Sequence, residues 1–304
     1  MTPSVAAFAV AFTSAVGLPT ATREVSPVVK AALSARHPAE VTKPRAALLI
    51  HGLKLHLVQP AKATEPEMHE WQKPDSAMVK ELGKEFDVYS FTYAQTTPVD
   101  AVASCEGLRA RLAALRAAGY KEIVLIGHSA GSIVARQVVE RYPTAGVTRV
   151  IQVAPPNEGA VLAEVGVGLP KTQVGFIKSL APEYRKEVCK TCSTPIPKGV
   201  EFCVVACKYG RFQGDLLVDV TSQWPADLQK LGVPVVLESV SHPQAVKDPI
   251  SVKEIAALAR GKLVRWDETE VAQASKVLFD TGSKTGLLPK VVGVVREKIG
   301  FDKK

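Results

Sequence analysis

The sequence predicts an α/β fold, a mostly parallel central sheet with helices on both faces, and three observations carry that expectation. Short aliphatic and β-branched runs recur at residues 45–50, 86–93, 122–126, 148–153, 202–207 and 233–239. Helical patterns at about 75–84, 100–118, 131–142, 222–231 and 249–260 alternate with them, so each strand returns by a crossover and its neighbours run parallel. The chain has 304 residues, 46% hydrophobic and 22% charged, enough for one sizeable α/β domain with appendages and no second core.

Residues 1–42 form an N-terminal segment outside that rhythm. Val5 to Leu18 is apolar and rich in small residues, the length of a signal h-region and too short to span a bilayer. No Lys or Arg precedes it, so two readings stay open: an exported protein cleaved near Ala21, or a cytoplasmic one with an N-terminal helix packed on the domain. The core is expected over 43–261. Its first strand, Arg45-Ala-Ala-Leu-Leu-Ile, runs into His51-Gly52-Leu53, and the helix Val102 to Ala118 stops before Gly119, a suitable C-cap.

The most informative stretch is Ile123-Val-Leu-Ile-Gly-His-Ser-Ala-Gly131, a strand running straight into a G-x-S-x-G turn, with a helical pattern from Ser132 to Arg141 directly after it. A serine between a strand and a helix sits on a strained turn, its hydroxyl raised above the sheet edge beside a helix N-terminus. Glycines two before and two after remove side chains that would collide as the chain reverses. The pentapeptide alone is weak; this context makes Ser129 a candidate nucleophile, with His128 beside it as a substrate-contacting residue.

A nucleophile of this kind needs an acid and then a histidine later in the chain. Of the six histidines, His37, His51, His56, His69 and His128 all precede Ser129; His242 alone follows it, on a loop after the strand beginning at Val233. The acid should leave the preceding strand, Phe202 to Cys207, and two aspartates do. Asp215 is preferred over Asp219, because Gly214 frees the chain to turn the carboxylate inward while Leu216-Leu-Val buries the loop. The amides of Leu53, after His51-Gly52, and of Ala130, after the serine, could converge as an oxyanion hole.

Residues 157–199 interrupt the alternation, and their length exceeds a simple crossover. They are expected to form a lid over the serine, with Val161, Leu162, Val165, Phe176, Ile177 and Leu180 as candidate acyl-pocket residues or, equally, as core. Five cysteines are present. Cys189-x-x-Cys192 with Cys203-x-x-x-Cys207 imitates a zinc set, but strand residues four apart are separated by about 13 Å at roughly 3.3 Å rise each, too far for one ion. A disulfide tying the insertion to the strand, or free buried thiols, fits better. The net charge of +8 comes from dispersed residues, and aromatics are only 6%, so no nucleic-acid surface is expected. Residues 262–304 form a lysine-rich extension expected to pack partly as a helix around Val291, Val294 and Val295.

With those motifs in view, the chain resembles the α/β-hydrolase superfamily and, within it, the esterase and lipase branch. The resemblance covers about residues 43–261. It rests on His51-Gly52-Leu53, Gly127-His128-Ser129-Ala130-Gly131, Gly214-Asp215 with Val218, and His242. Val153-Ala-Pro-Pro-Asn-Glu-Gly-Ala160 is similar to a Pro-x-x-Gly-Ser stretch in many lipases, with Ala160 where those often have Ser. The resemblance implies an α/β-hydrolase fold and ester hydrolysis through an acyl-serine intermediate.

The expected function is therefore a serine hydrolase acting on a small-molecule carboxylic ester, lipid esters included, with no cofactor, no nucleic-acid partner and no stable membrane insertion. An acyltransferase on the same triad shares the chemistry before deacylation, and a catalytically silent binding protein shares the scaffold.

Overall fold

The computed structural model describes residues 31–34, 41–160, 163, 170–191 and 195–279. Its centre is a seven-stranded sheet: β1 (Ala31–Ser34), β2 (Arg45–Ile50), β3 (Asp87–Tyr93), β4 (Glu122–His128), β5 (Arg149–Val153), β6 (Glu201–Cys207) and β7 (Val235–Glu238). The spatial order is β1-β3-β2-β4-β5-β6-β7. Strands β2 to β7 are all parallel, and β1 adds antiparallel to the β3 edge, Ala31 opposite Tyr93. All six expected strands form.

Parallel strands with helices on both faces are buried on both sides, which explains why their sequences are continuously apolar. In β2, Ala46, Leu48 and Ile50 point into one core layer and Ala47 and Leu49 into the other. The first layer lies under α2 (Val99–Ser104), α3 (Glu106–Ala117) and α4 (Ala130–Arg141). The second lies under α1 (Ala77–Leu82) and α9 (Pro249–Arg260).

Between these come α5 (Val174–Lys178), α6 (Pro182–Thr191), α7 (Val220–Gln223) and α8 (Ala226–Lys230), and α10 (Glu268–Phe279) closes the described chain. The helix expected over 100–118 is two helices, because Cys105 is extended (ψ 144°). The one expected over 222–231 is also split, at Trp224-Pro225, where proline supplies no N–H and disfavours helical backbone before it. The β1 edge strand, inside the segment read as a signal or helix, was not anticipated, nor were α6 and α10. The Val5–Leu18 run and Val291, Val294 and Val295 lie outside the described residues.

Cys105, Cys203 and Cys207 are free thiols. Of the two readings held for the strand cysteines, a disulfide or free buried thiols, the second is the one found: Cys203 and Cys207 point into the second core layer, where burial drives both thiols well above the usual range. Among the described residues no helix is long and apolar enough to cross a membrane.

The order of strands places the site. From β2 the chain moves to one side, to β3; from β4 it moves to the other, to β5. The chain leaving β2 and the chain leaving adjacent β4 therefore head for opposite sides, and the carboxyl ends of these two strands mark the point where the winding reverses, the usual binding position of an open α/β sheet.

Candidate active site

Ser129 stands at that reversal point, between the end of β4 and the first residue of α4. Its backbone is left-handed, φ 55° and ψ −127°, a conformation a non-glycine residue adopts only where its surroundings impose it. Three features impose it. The Ser129 N–H donates to Val153 O at 2.9 Å. The Ser132 hydroxyl donates to Gly127 O at 2.6 Å and accepts from the Val153 N–H at 3.1 Å. Gly127 and Gly131 are packed so closely that a Cβ on Gly131 would strike the carbonyl oxygens of Ile50 and His51, and one on Gly127 would strike Gly131 itself.

The loop after β2 lies against the serine. A Cβ on Gly52 would sit 2.5 Å from Ser129 Cβ, 2.8 Å from His128 O and 3.1 Å from Ser129 Oγ, so only glycine lets this backbone approach the hydroxyl. His51 below it is fully buried. Burial pushes its imidazole down to about 4, so the ring is neutral; its Nδ1–H donates to Gly52 O at 2.8 Å and its Nε2 accepts from the Tyr93 N–H at 3.3 Å. The Tyr93 hydroxyl donates to His51 O at 2.5 Å, and His51 is stacked between Tyr93 and His69.

The acid turn and the histidine loop meet at the ends of β6 and β7. Asp215 is wholly buried: its Oδ2 accepts from His242 Nδ1 at 2.6 Å, and its Oδ1 accepts from the N–H groups of Leu217 at 3.0 Å and Val218 at 2.8 Å. The His242 N–H donates to Asp215 O at 2.9 Å, tying the two loops by backbone as well as by side chain. Gly214 permits this turn, because a Cβ there would overlap Val218 O. Asp219, the alternative, is exposed and precedes α7.

His128 is fixed against the same loop. Burial, then the neighbouring His242 ring, push it down to about 3, and its Nε2–H donates to His242 O at 3.0 Å. Its ring centroid lies 4.9 Å from that of His242. His128 thus supports the histidine loop.

The other expected pocket residues are placed elsewhere or undescribed. Phe176 and Ile177 are buried in the first core layer with Leu180, Phe176 against Tyr93 at 5.9 Å, so they face the core. Val161, Leu162 and Val165 lie outside the described residues. A cavity of about 390 Å³ lies beside the acid turn, lined in part by Gly159, Pro182, Phe212, Leu216 and Leu217.

The site also contains residues that sequence reasoning passed over. Gln95, just beyond β3, and Gln173, in the 3-10 turn Lys171–Gln173, are buried and grip the loop after β2. Gln95 accepts from the Lys54 N–H at 2.9 Å and donates to Gly52 O at 3.1 Å. Gln173 accepts from the His56 N–H at 2.9 Å and donates to Lys54 O at 2.8 Å and to Gln95 Oε1 at 3.0 Å. Isolated glutamines carry no period or motif, so nothing in the sequence pointed to them.

Comparison with known proteins agrees with the fold. The mature form of the Bacillus licheniformis lipase BlEst2 superposes with a TM-score of 0.57 at 15% identity, over 76% of this chain and 97% of that one. The metagenomic carboxyl esterase MGS0156 superposes with a TM-score of 0.51 at 15% identity, over 73% of this chain and 76% of that one. At such identities the likeness establishes a shared fold, the α/β-hydrolase fold. No curated protein sequence matches significantly. The family model for class 2 lipases matches residues 46–223, from the first parallel strand through the serine elbow and the acid turn. Over that span, more than half of its length, the chain belongs to the class 2 lipase family, and it is a carboxylic ester hydrolase.

Proposed function

We propose that the protein hydrolyses small-molecule carboxylic esters through an acyl-serine intermediate, with Ser129, His242 and Asp215 as the triad. The observation that carries the proposal is the 2.6 Å contact of His242 Nδ1 with the buried Asp215 carboxylate, in a chain where the strands before Ser129, Asp215 and His242 run parallel and so end on the same side of the sheet.

The chemistry follows from these positions. With Nδ1–H donated to Asp215, the neutral imidazole keeps its Nε2 lone pair free to take the serine proton. Ser129 Oγ attacks the ester carbonyl, and the oxygen gains negative charge as the carbon becomes tetrahedral. The amides of Ala130, at the N-terminus of α4, and of Leu53, in the loop pressed on Ser129 by Gly52, stabilise that charge. Collapse expels the alcohol, which takes its proton from His242, and leaves the acyl-serine. Water then repeats the sequence, giving its proton to His242 and releasing the acid. Asp215 accepts from two backbone N–H donors as well as from His242, which holds its carboxylate in place to orient the imidazole.

Turnover of p-nitrophenyl esters of increasing acyl length, with wild type beside Ser129→Ala, tests the proposal. Removing the nucleophile should lower kcat by about 10³-fold or more at every chain length. A Ser129→Ala enzyme that turns over any of these esters at the wild-type rate contradicts it.

A further inference from the structure

We propose that Gln95 and Gln173 are positioning residues for the oxyanion hole, and that residues 170–178 of the long insertion therefore take part in catalysis by setting the backbone of Gly52 to His56. The inference rests on the reading of the Leu53 amide as an oxyanion donor.

A loop leaving the end of a parallel strand has lost its ladder partners, and its amides and carbonyls must find others or be hydrated. Here Gly52 O, Lys54 N–H, Lys54 O and His56 N–H are all taken by two side-chain amides, and the bond from Gln173 Nε2 to Gln95 Oε1 joins these into one unit. The network leaves the Leu53 N–H outside it. Both glutamines are buried, Gln173 completely, so water cannot replace a missing contact at low cost. Each is itself held: the Gln95 N–H donates to Ala63 O at 2.9 Å, and the Gln173 N–H donates to Pro170 O at 2.9 Å.

The residue type matters. A long side chain ending in an amide can accept from one backbone N–H at its oxygen while its nitrogen donates to a carbonyl and to a second acceptor, as Gln173 does here. A carboxylate at 173 would face Lys54 O and Gln95 Oε1 with no proton to give, and a leucine would offer neither function. A donor stabilises a developing oxyanion in proportion to how closely it is preorganised, and displacement by about 1 Å costs on the order of 10²-fold. Four tethers within five residues define such preorganisation.

The test compares Gln173→Leu, Gln95→Leu and the double variant with wild type, measuring kcat and KM on p-nitrophenyl butyrate, Tm, and inhibition by an alkylboronic acid, whose tetrahedral serine adduct mimics the oxyanion. Positioning predicts that kcat falls about 10- to 100-fold while KM changes little, and that boronate affinity weakens by a similar factor. The double variant should be little worse than either single one, because the glutamines act as a unit. Should a leucine variant fail to fold, Gln173→Glu, of the same length, gives the same readout. A lowered Tm with kcat per folded molecule within about twofold of wild type, or a loss confined to KM, overturns the proposal. Ser129→Ala in the same series separates the two claims: if it is inactive while the glutamine variants keep wild-type kcat, positioning alone fails; if it stays active, the reading of the whole site fails.

Discussion

Gly52 and Ser129 approach so closely that a single methyl group cannot be inserted between them: a Cβ on Gly52 would lie 2.5 Å from Ser129 Cβ. The relationship joins two loops from adjacent strands and fixes where the amide after Gly52 stands relative to the Ser129 hydroxyl. Gly52→Ala must push the loop away from the serine, because the nearest obstacles are a Cβ and the His128 carbonyl oxygen rather than the end of a flexible side chain. We expect kcat/KM to fall by about 10²-fold or more with the protein still folded, by analogy with loss of one oxyanion donor. Steady-state kinetics alongside a thermal melt check this, and an alanine variant of unimpaired activity contradicts it.

Asp215 and Asp219 should behave oppositely. Asp215→Asn keeps the shape but offers His242 Nδ1 no charge, and kcat should fall by about 10²- to 10⁴-fold, as when a triad acid loses its role in fixing the tautomer. Asp219 is exposed, and Asp219→Asn should leave kcat within a few-fold. The ratio of the two kcat values decides the assignment.

The buried histidines make the fold acid-sensitive. His51 and His128 are pushed down to about 4 and about 3, and His69, buried against His51, further still. In the unfolded chain each titrates near 6.5. Between those values the unfolded state binds protons that the native state does not, so stability is present in full above about pH 6.5 and declines as pH falls toward 4. Tm should drop steadily over that interval, and His128→Gln, which has no proton to take up, should flatten the slope. A Tm independent of pH between 7 and 4 contradicts this.

Gly214 should be as intolerant as Gly52, for a different reason. A Cβ there overlaps Val218 O, the acceptor for the Asp215 N–H, so Gly214→Ala opens the turn that aims Asp215 at His242. We expect a fall in both Tm and kcat, read from a melt and a rate on the same sample. A variant that loses neither shows that the turn does not depend on glycine.

The sequence revealed what is periodic or ordered by chemistry. Continuous apolar runs marked the six parallel strands because both their faces are buried, and the candidate residues Ser129, Asp215 and His242 follow β4, β6 and β7, which run parallel and end on the same side of the sheet. The edge strand β1 was missed because Ala-Ala-Leu-Ser has no strand signature of its own and pairs only because β3 has a free side. Helix α10 was missed although Asp267 and Glu270 form a capping box, the Asp267 N–H donating to Glu270 Oε2 and the Glu270 N–H to Asp267 Oδ1. Phe176 and Ile177 read equally as pocket or core, since apolarity does not say which surface covers a side chain. Gln95 and Gln173 were invisible because their importance lies in the backbone groups they meet, 41 to 119 residues away in sequence for the three bonds they make to Lys54 and His56.

The most direct test of the central claim is intact-mass and peptide-level analysis after reaction with an alkyl fluorophosphonate, which phosphonylates an activated serine and expels fluoride. The account expects one adduct per chain, mapped to Ser129, and labelling lost in Ser129→Ala and slowed about 10²-fold or more in His242→Gln, where no base remains to take the serine proton. An adduct on another residue, or labelling undiminished in Ser129→Ala, would contradict it.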